Sequence, residues 1–368
     1  MKTKKTISAV LEAVGKISFK EFEIPEVKND DAILKVEMVG VCGSDVGIFT
    51  GKTGRILQYL PIILGHEFVG HITEAGDVFC KQHGVEIGDR VLVEYTFGCG
   101  MCRSCISGNY RLCEKKYRYG TYISSNIPPH LWGGYGEHVY LAPRAMVHKI
   151  SSNVPPEEAI LISAVLGNGI RWINQIGRTK IGDAVAIIGP GPQGLAAVVA
   201  AKESGASKII VTGLTKDKKR LDMATLLGAT HTIDVSKDDP IKMTKEITGG
   251  RLADVVIDVS GTEPGINTAI ELVAPEGTLV MPGMYGTGKK IAIELDKLIL
   301  NETRVMGAYS HDYRSVEPAI ALVESRKYPL SKMVTHKFPL SKAEEAIKVM
   351  GGFIEGEDAI KVVLDPWM

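Results

Sequence analysis

The chain has 368 residues, about twice the usual domain size, and carries 43 Lys+Arg against 43 Asp+Glu with no block of about five or more like charges, so two cores are expected and neither a nucleic-acid partner nor a disordered charged tail. No apolar run reaches the roughly 18 residues of a membrane helix, and the basic start Met1-Lys2-Thr3-Lys4-Lys5 runs on into Glu12, Lys16, Lys20 and Glu21 rather than a secretory apolar region. A soluble cytoplasmic protein is the expectation, in a compartment where clustered cysteines usually hold metal, and most of the 6 cysteines here are clustered.

Residues 7–150 are short apolar runs bounded by Gly, Pro, Asn and Asp, such as Ala32-Ile33-Leu34-Lys35-Val36 and Asp89-Arg90-Val91-Leu92-Val93, which predict many short strands of a β-rich domain. Two small motifs lie in it, Gly40-Val41-Cys42-Gly43-Ser44-Asp45 and Gly65-His66-Glu67-Phe68-Val69-Gly70. Each is weak alone, since a single Cys in an apolar stretch is usually core and a single His usually a satisfied hydrogen-bonder.

Cys99, Cys102, Cys105 and Cys113 follow as C-x2-C-x2-C-x7-C on a loop that also holds Gly98, Gly100, Gly108 and Asn109. Four thiolates about 2.3 Å from one ion close a tetrahedron with no open position, the mark of a structural zinc site that staples a loop. Unconnected buried cysteines do not account for the spacing. An iron–sulfur cluster uses similar spacing but has no task in the chemistry argued below.

From about residue 167 to 307 the pattern becomes β-branched runs, including 184–188, 208–211, 254–258 and 277–281, separated by helix-like stretches. Nearly all-apolar strands alternating with helices predict a parallel sheet covered on both faces. The first of these runs leads into Gly189-Pro190-Gly191-Pro192-Gln193-Gly194 and then a helix-like stretch, the context that confirms a G-x-G-x-x-G dinucleotide fingerprint. Gly189 is expected to make the tight turn, Gly191 to admit the pyrophosphate and Gly194 to let helix and strand pack, with Pro192 and Gln193 at the helix N-terminus where free N–H groups favour anions.

The strand at 208–211 should end in the ribose-contacting residue. That position reads as Gly213, without the Asp or Glu of an NAD site, and Thr215, Lys216, Lys219 and Arg220 offer a 2′-phosphate hydroxyl and cationic partners, so NADP is favoured over NAD. Asp217 and this basic cluster read equally as a solvated helix start. Ser260-Gly261 and Pro282-Gly283 follow later strands, so Ser260 and Gly283 are expected at the nicotinamide pocket unless they are plain turns. In the last sixty residues, Ser341 with Glu344 predicts a capping box opening a helix to Gly351, with Ala343, Ala346, Ile347 and Met350 on one face.

Together and in this order, the Cys42 and Gly65-His66-Glu67 motifs, the cysteine lobe and the glycine fingerprint resemble the medium-chain zinc alcohol dehydrogenase family over nearly the whole chain. The resemblance implies an α/β chain with a β-rich GroES-like catalytic domain, residues 1–166 and 308–368, and a doubly wound Rossmann domain, residues 167–307. It implies Cys42 and His66 as catalytic zinc ligands, Glu67 beside the metal, Ser44 as the hydroxyl that begins proton removal, and Lys361 where the family often has an Arg on the pyrophosphate. It also implies a homodimer or homotetramer formed through the dinucleotide domain, with residues 277–283 and 291–295 pairing across a two-fold axis.

Two departures stand out. Ala164 occupies the place of the third zinc ligand, and Gly47 that of the relay histidine. Glu67 as a permanent third ligand, water filling a weak site, and a metal-free site are the three ways to resolve the first. For the second, the proton would leave from Ser44 through ribose or water, with Asp45 nearby. Two other functions stay open: a metal-independent enone or quinone reductase of the same scaffold, and an NADP(H)-binding protein without turnover. The substrate is not legible, although the irregular stretch 123–132 reads as an insertion over the cleft with room for more than ethanol.

Overall fold

The computed structural model describes residues 4–368, so the first three residues of the basic start lie outside the description. The chain divides into two compact units, one reaching Ala164 and resuming at Ile320, the other spanning Val165–Ala319. The second boundary falls within the helix Tyr313–Glu324, so the return expected at 308 comes later.

In chain order the first unit lays down β1 (Lys5–Ala13), β2 (Lys16–Glu23), β3 (Ala32–Val41), β4 (Ile62–Ile63), β5 (Phe68–Ala75), β6 (Arg90–Glu94), β7 (His138–Leu141) and β8 (Met146–Lys149). The second unit supplies β9 (Ala184–Ile188), β10 (Lys208–Gly213), β11 (His231–Asp234), β12 (Ala253–Asp258), β13 (Val273–Met281) and β14 (Arg304–Gly307). The chain then returns with β15 (Val334–Pro339) and β16 (Lys361–Asp365) to close the first unit's larger sheet.

That seven-stranded sheet runs β15-β16-β3-β5-β6-β8, with β7 also on β3, while β2-β1-β4 form a smaller one. β3 is buried along most of its length, as its near-continuous apolar sequence requires of a strand flanked on both sides. Its pairings set the site. β3 is antiparallel to β5 with Val39 opposite Phe68, and antiparallel to β16 with Val41 opposite Val362. The residue after β3 (Cys42), the two before β5 (His66 and Glu67) and the first of β16 (Lys361) therefore meet at one end of three adjacent strands.

The second unit is a six-stranded parallel sheet in the order β11-β10-β9-β12-β13-β14. The order reverses direction at β9, which places a ligand crevice at the carboxyl ends of β9 and its neighbours. The helix Pro192–Glu203 that follows β9 is buried from Gly194 to Ala201, matching its small apolar sequence.

One local expectation fails. The capping box at Ser341 does not form: residues Leu340–Lys342 make a 3-10 turn, the helix Ala343–Met350 starts after Lys342 with no side-chain cap, and Glu344 pairs forward with Lys348 at 2.7 Å. Within the single chain, residues 291–294 join no strand. The place beside β13 is taken by β14, in register from Thr278 opposite Arg304, and Leu295 instead opens the helix Leu295–Leu300.

Candidate metal centres and dinucleotide site

Cys42 is the N-terminal cap of the short helix Gly43–Phe49, which begins directly where β3 ends. Cys42, His66 and Glu67 each present one ligand atom, and these atoms lie within 4.8 Å of one another. The His66 ring is fixed on both sides. Its Nδ1 faces Asp45 Oδ1 at 3.3 Å, its Nε2 faces the Ser44 hydroxyl at 3.2 Å, and the Tyr95 ring lies edge-on at 5.4 Å. A carboxylate on one ring nitrogen that turns the other toward a metal is the usual support of a histidine ligand.

Asp45 is fully buried, and its Oδ2 accepts from the Cys42 backbone N–H at 2.9 Å and the Tyr135 hydroxyl at 3.2 Å. It therefore lies behind His66, within the protein, and orients the ring from there. Ser44 is exposed. A Cβ at Gly47 would meet the Thr53 hydroxyl oxygen at 2.7 Å, so a side chain there requires Thr53 to turn aside.

Lys361 is not on the surface. Its side chain is buried, and its ammonium donates to the Val41 carbonyl at 3.0 Å and pairs with Glu67 Oε2. Burial pulls its pKa down, but the Glu67 carboxylate and the Cys42 sulfur outweigh that and hold it above the ordinary lysine value. The expected pyrophosphate contact is corrected accordingly: Glu67 occupies this cation. The other Glu67 oxygen, Oε1, is buried and has no hydrogen-bond partner among the described residues. An orphaned carboxylate oxygen costs free energy unless something charged completes it, and beside a Cys and a His a zinc ion fits that need. The pair also explains Gly40, where a Cβ would sit 2.5 Å from Glu67 Oε2 and 3.0 Å from Lys361 Cε. Ala164 lies buried in a π-helical turn, Ile162–Gly167, and brings no donor.

The four lobe cysteines likewise converge within 4.8 Å, with Cys99 and Cys105 sulfurs 4.0 Å apart. Tetrahedral thiolates at a 2.3 Å bond length sit about 3.8 Å apart, so the cage has the size of a zinc ion. Backbone N–H groups of Met101 and Cys102 pull the Cys99 thiol down to about 6, while burial pushes Cys105 up to about 12. The lobe is pinned by Tyr110, whose hydroxyl donates to Glu94 at 2.6 Å, and by Arg144, whose Nε donates to the Gly98 carbonyl at 3.0 Å.

In the second unit, Gly189 holds φ +102°, a value that favours glycine, and a Cβ on Gly194 would lie 2.0 Å from the Gly189 carbonyl oxygen. Gly191 caps the helix and faces open space, with no atom within 4 Å of where its Cβ would be. Pro192 and Gln193 form the first turn, and Gln193 accepts from Asn168 at 3.2 Å. Ser260 donates through N–H and hydroxyl to Asp258 Oδ1 at 2.9 and 2.6 Å, and Gly283 N–H donates to the Asp258 carbonyl at 3.1 Å. Tyr285 donates to the other Asp258 oxygen at 2.5 Å, so one buried carboxylate locks the turns after β12 and β13.

The residues expected to meet a 2′-phosphate are engaged differently. Arg220 pairs with Asp217 at 2.7 Å, the Thr215 hydroxyl donates to Asp234 at 2.7 Å, and Lys216 is simply exposed. Gly213 ends β10 with Pro190 Cγ 2.9 Å from where its Cβ would stand. Sequence reasoning missed Tyr95, Tyr135, Asp234, Asp258 and Tyr285. Among these only Asp258 and Asp234 carried a signal, each being an acidic residue that ends an apolar run.

Comparison with known proteins agrees with this geometry. Residues 28–152 match the alcohol dehydrogenase GroES-like domain and residues 192–325 the zinc-binding dehydrogenase domain. A probable alcohol dehydrogenase of Mycobacterium tuberculosis is 39% identical over 363 residues, 97% of each chain, and D-arabitol-phosphate dehydrogenase of Enterococcus avium is 32% identical over 366 residues, 99% of this chain and 98% of that one. Among solved structures, an alcohol dehydrogenase from Thermotoga maritima matches with TM-score 0.88 at 28% identity, covering 98% of this chain and 99% of the other. A putative zinc-binding dehydrogenase from Sinorhizobium meliloti bound to NADP matches with TM-score 0.85 at 27% identity over 99% and 100%. With two site-bearing units matched along nearly their whole length, the chain belongs to the medium-chain zinc-dependent alcohol dehydrogenase family and is an alcohol-dehydrogenase-type oxidoreductase.

Proposed function

We propose that the protein interconverts an alcohol or polyol and the matching carbonyl compound, with hydride exchanged against a nicotinamide dinucleotide, at a zinc site made of Cys42, His66 and Glu67. The observation that carries this reading is the convergence of those three donors around a buried carboxylate oxygen that has no protein partner. A second zinc on Cys99, Cys102, Cys105 and Cys113 is structural, because four thiolates leave no open position.

A zinc ion at the first site supplies a Lewis acid that makes an alcohol easier to deprotonate near neutral pH. The chain's own residues do the rest. Asp45 fixes the His66 ring, Tyr95 covers its face, and the exposed Ser44 hydroxyl accepts the substrate proton while passing its own to water. The stretch 123–132 is tied to the residue that precedes β4, since the Ser124 and Ser125 hydroxyls both donate to the Pro61 carbonyl, at 3.0 and 3.1 Å. Such a fixed loop suits selection among extended, hydroxyl-rich substrates, and the relatives named for polyols support that class.

The test is a panel of simple, secondary and polyhydric alcohols with both dinucleotides and zinc present. Turnover that is lost when Cys42 is replaced by Ser, with dinucleotide binding retained, is the expected result. Turnover of enones untouched by that substitution would support the metal-independent reductase, and dinucleotide binding without any turnover the non-catalytic reading.

We also propose at least a homodimer, more specifically a dimer or tetramer formed through the second unit. β14 is the open edge of the six-stranded sheet, with Val305 40% and Met306 37% exposed, and Ile299 and Leu300 on the neighbouring helix are 70% and 83% exposed. Light scattering at micromolar concentration should give at least twice the monomer mass of 39.8 kDa. A monomer overturns this.

A further inference from the structure

We infer that Asp234 is the residue that discriminates the adenosine ribose, accepting the free 2′-hydroxyl of NAD and opposing the 2′-phosphate of NADP. The inference rests on the dinucleotide reading of the second unit and reverses the cofactor preference that the basic residues after Gly213 suggest.

The strand next to the fingerprint strand ends without the acidic side chain that ordinarily meets the ribose. β10 closes on Gly213, and the space a side chain would need is taken by Pro190 of the glycine-rich turn and by Leu221, at 2.9 and 3.1 Å from the missing Cβ. One strand further out, β11 ends at Asp234, and the parallel register puts Asp234 opposite Gly213. Neighbouring strands lie about 4.8 Å apart, and residues opposite each other in a parallel ladder project to the same face. The carboxylate absent at 213 is thus replaced from the adjacent strand at the same level of the sheet.

Its side chain leans back over the loop that follows β10. The Thr215 hydroxyl donates to Asp234 Oδ2 at 2.7 Å, the Ser236 N–H to Oδ1 at 3.1 Å, and the Ser236 hydroxyl in turn accepts the Thr215 N–H at 3.3 Å. The Thr215 hydroxyl, first among these contacts, holds the carboxyl down to about 2, so the group is an anion at any working pH. A 2′-phosphate brings close to two further negative charges to this loop, whereas a 2′-hydroxyl brings a hydrogen-bond donor.

The cations nearby do not reverse that balance. Arg220 is held by Asp217, which also accepts the Leu214 N–H at 3.0 Å and so is fixed to this same turn. Lys218 is matched by Asp222 at 2.9 Å, Lys219 is exposed, and Lys237, which meets Asp234 at 3.0 Å, is 65% exposed, so water screens most of the charge it sets against the carboxylate. Lys216 is exposed at the turn with its stem in water, where a lysine is a mobile point charge rather than a fixed fork for phosphate.

The test is fluorescence titration of the full-length protein with NADH and NADPH, for the wild type, Asp234→Asn and Thr215→Val. Asp234→Asn keeps an acceptor for Thr215 and removes only the charge, so it should fold. Wild type is expected to bind NADH more tightly by about tenfold or more, and Asp234→Asn to narrow that ratio severalfold, mainly by tightening NADPH. Thr215→Val leaves the carboxylate charged and should keep the preference for NADH. Equal or tighter binding of NADPH by the wild type, or a ratio unmoved in Asp234→Asn, overturns the inference while leaving the dinucleotide site standing. Binding of neither dinucleotide overturns both.

Discussion

Replacing Cys105 by Ser should lower the melting temperature by about 5–10 °C and release one zinc per chain, without a matching change in the affinity for dinucleotide. The lobe has little else to hold it. Met101 and Ile106 are 79% and 75% exposed, and the helical turn Arg103–Ile106 buries no residue, so the middle of the loop adds little to the core that Phe97 and Tyr119 join at its ends. In a segment of this kind, metal-binding free energy is folding free energy. The chain also folds closely about the cage, since a Cβ on Gly98 would sit 2.6 Å from the Cys105 sulfur. Differential scanning with parallel metal analysis reads both quantities. A variant with wild-type stability and no zinc would show that Tyr110 and Arg144, bonded to Glu94 and to the Gly98 carbonyl, suffice to hold the lobe.

What the sequence made legible follows from how local each piece of chemistry is. The cysteine lobe and the glycine turn are short segments whose ligands or backbone demands recur at fixed spacing, and both fold as their spacing implies. Gly189 and Gly194 are required by a positive φ and by a close carbonyl, each settled within six residues. Lys361 and Asp234 were opaque for the opposite reason. Lys361 meets Glu67 across 294 residues of chain, and Asp234 meets Thr215 across 19, so strand order and register decide both contacts. Arg220 illustrates the same point, because composition shows the cation without showing that Asp217 pairs with it.

Removing the Glu67 carboxylate by Glu67→Ala should abolish the catalytic zinc and alcohol turnover together, and the reason lies in Lys361. With Ala164 offering no donor, only Cys42 and His66 remain, and two protein ligands hold zinc poorly. In the folded protein Glu67 already has one oxygen committed to the Lys361 ammonium and one buried without a partner, which is the disposition of a carboxylate shared between a fixed cation and an ion. Lys361→Met separates these roles. It removes the buried cation but keeps the stem's bulk, leaving Glu67, 0% exposed, with an uncompensated charge. Breaking a buried pair in this way costs about 3–5 kcal/mol, and here only the metal-free protein bears the full cost, because zinc can take over the carboxylate. The Lys361→Met variant should therefore melt well below wild type when zinc is stripped from this site, and zinc should stabilise it by a larger margin than it stabilises wild type. Competition with a chromophoric chelator should give it the tighter zinc affinity. Equal stabilisation of the two proteins by zinc would mean that Glu67 stays on Lys361 when metal is bound, and the third protein ligand would then have to be withdrawn in favour of water.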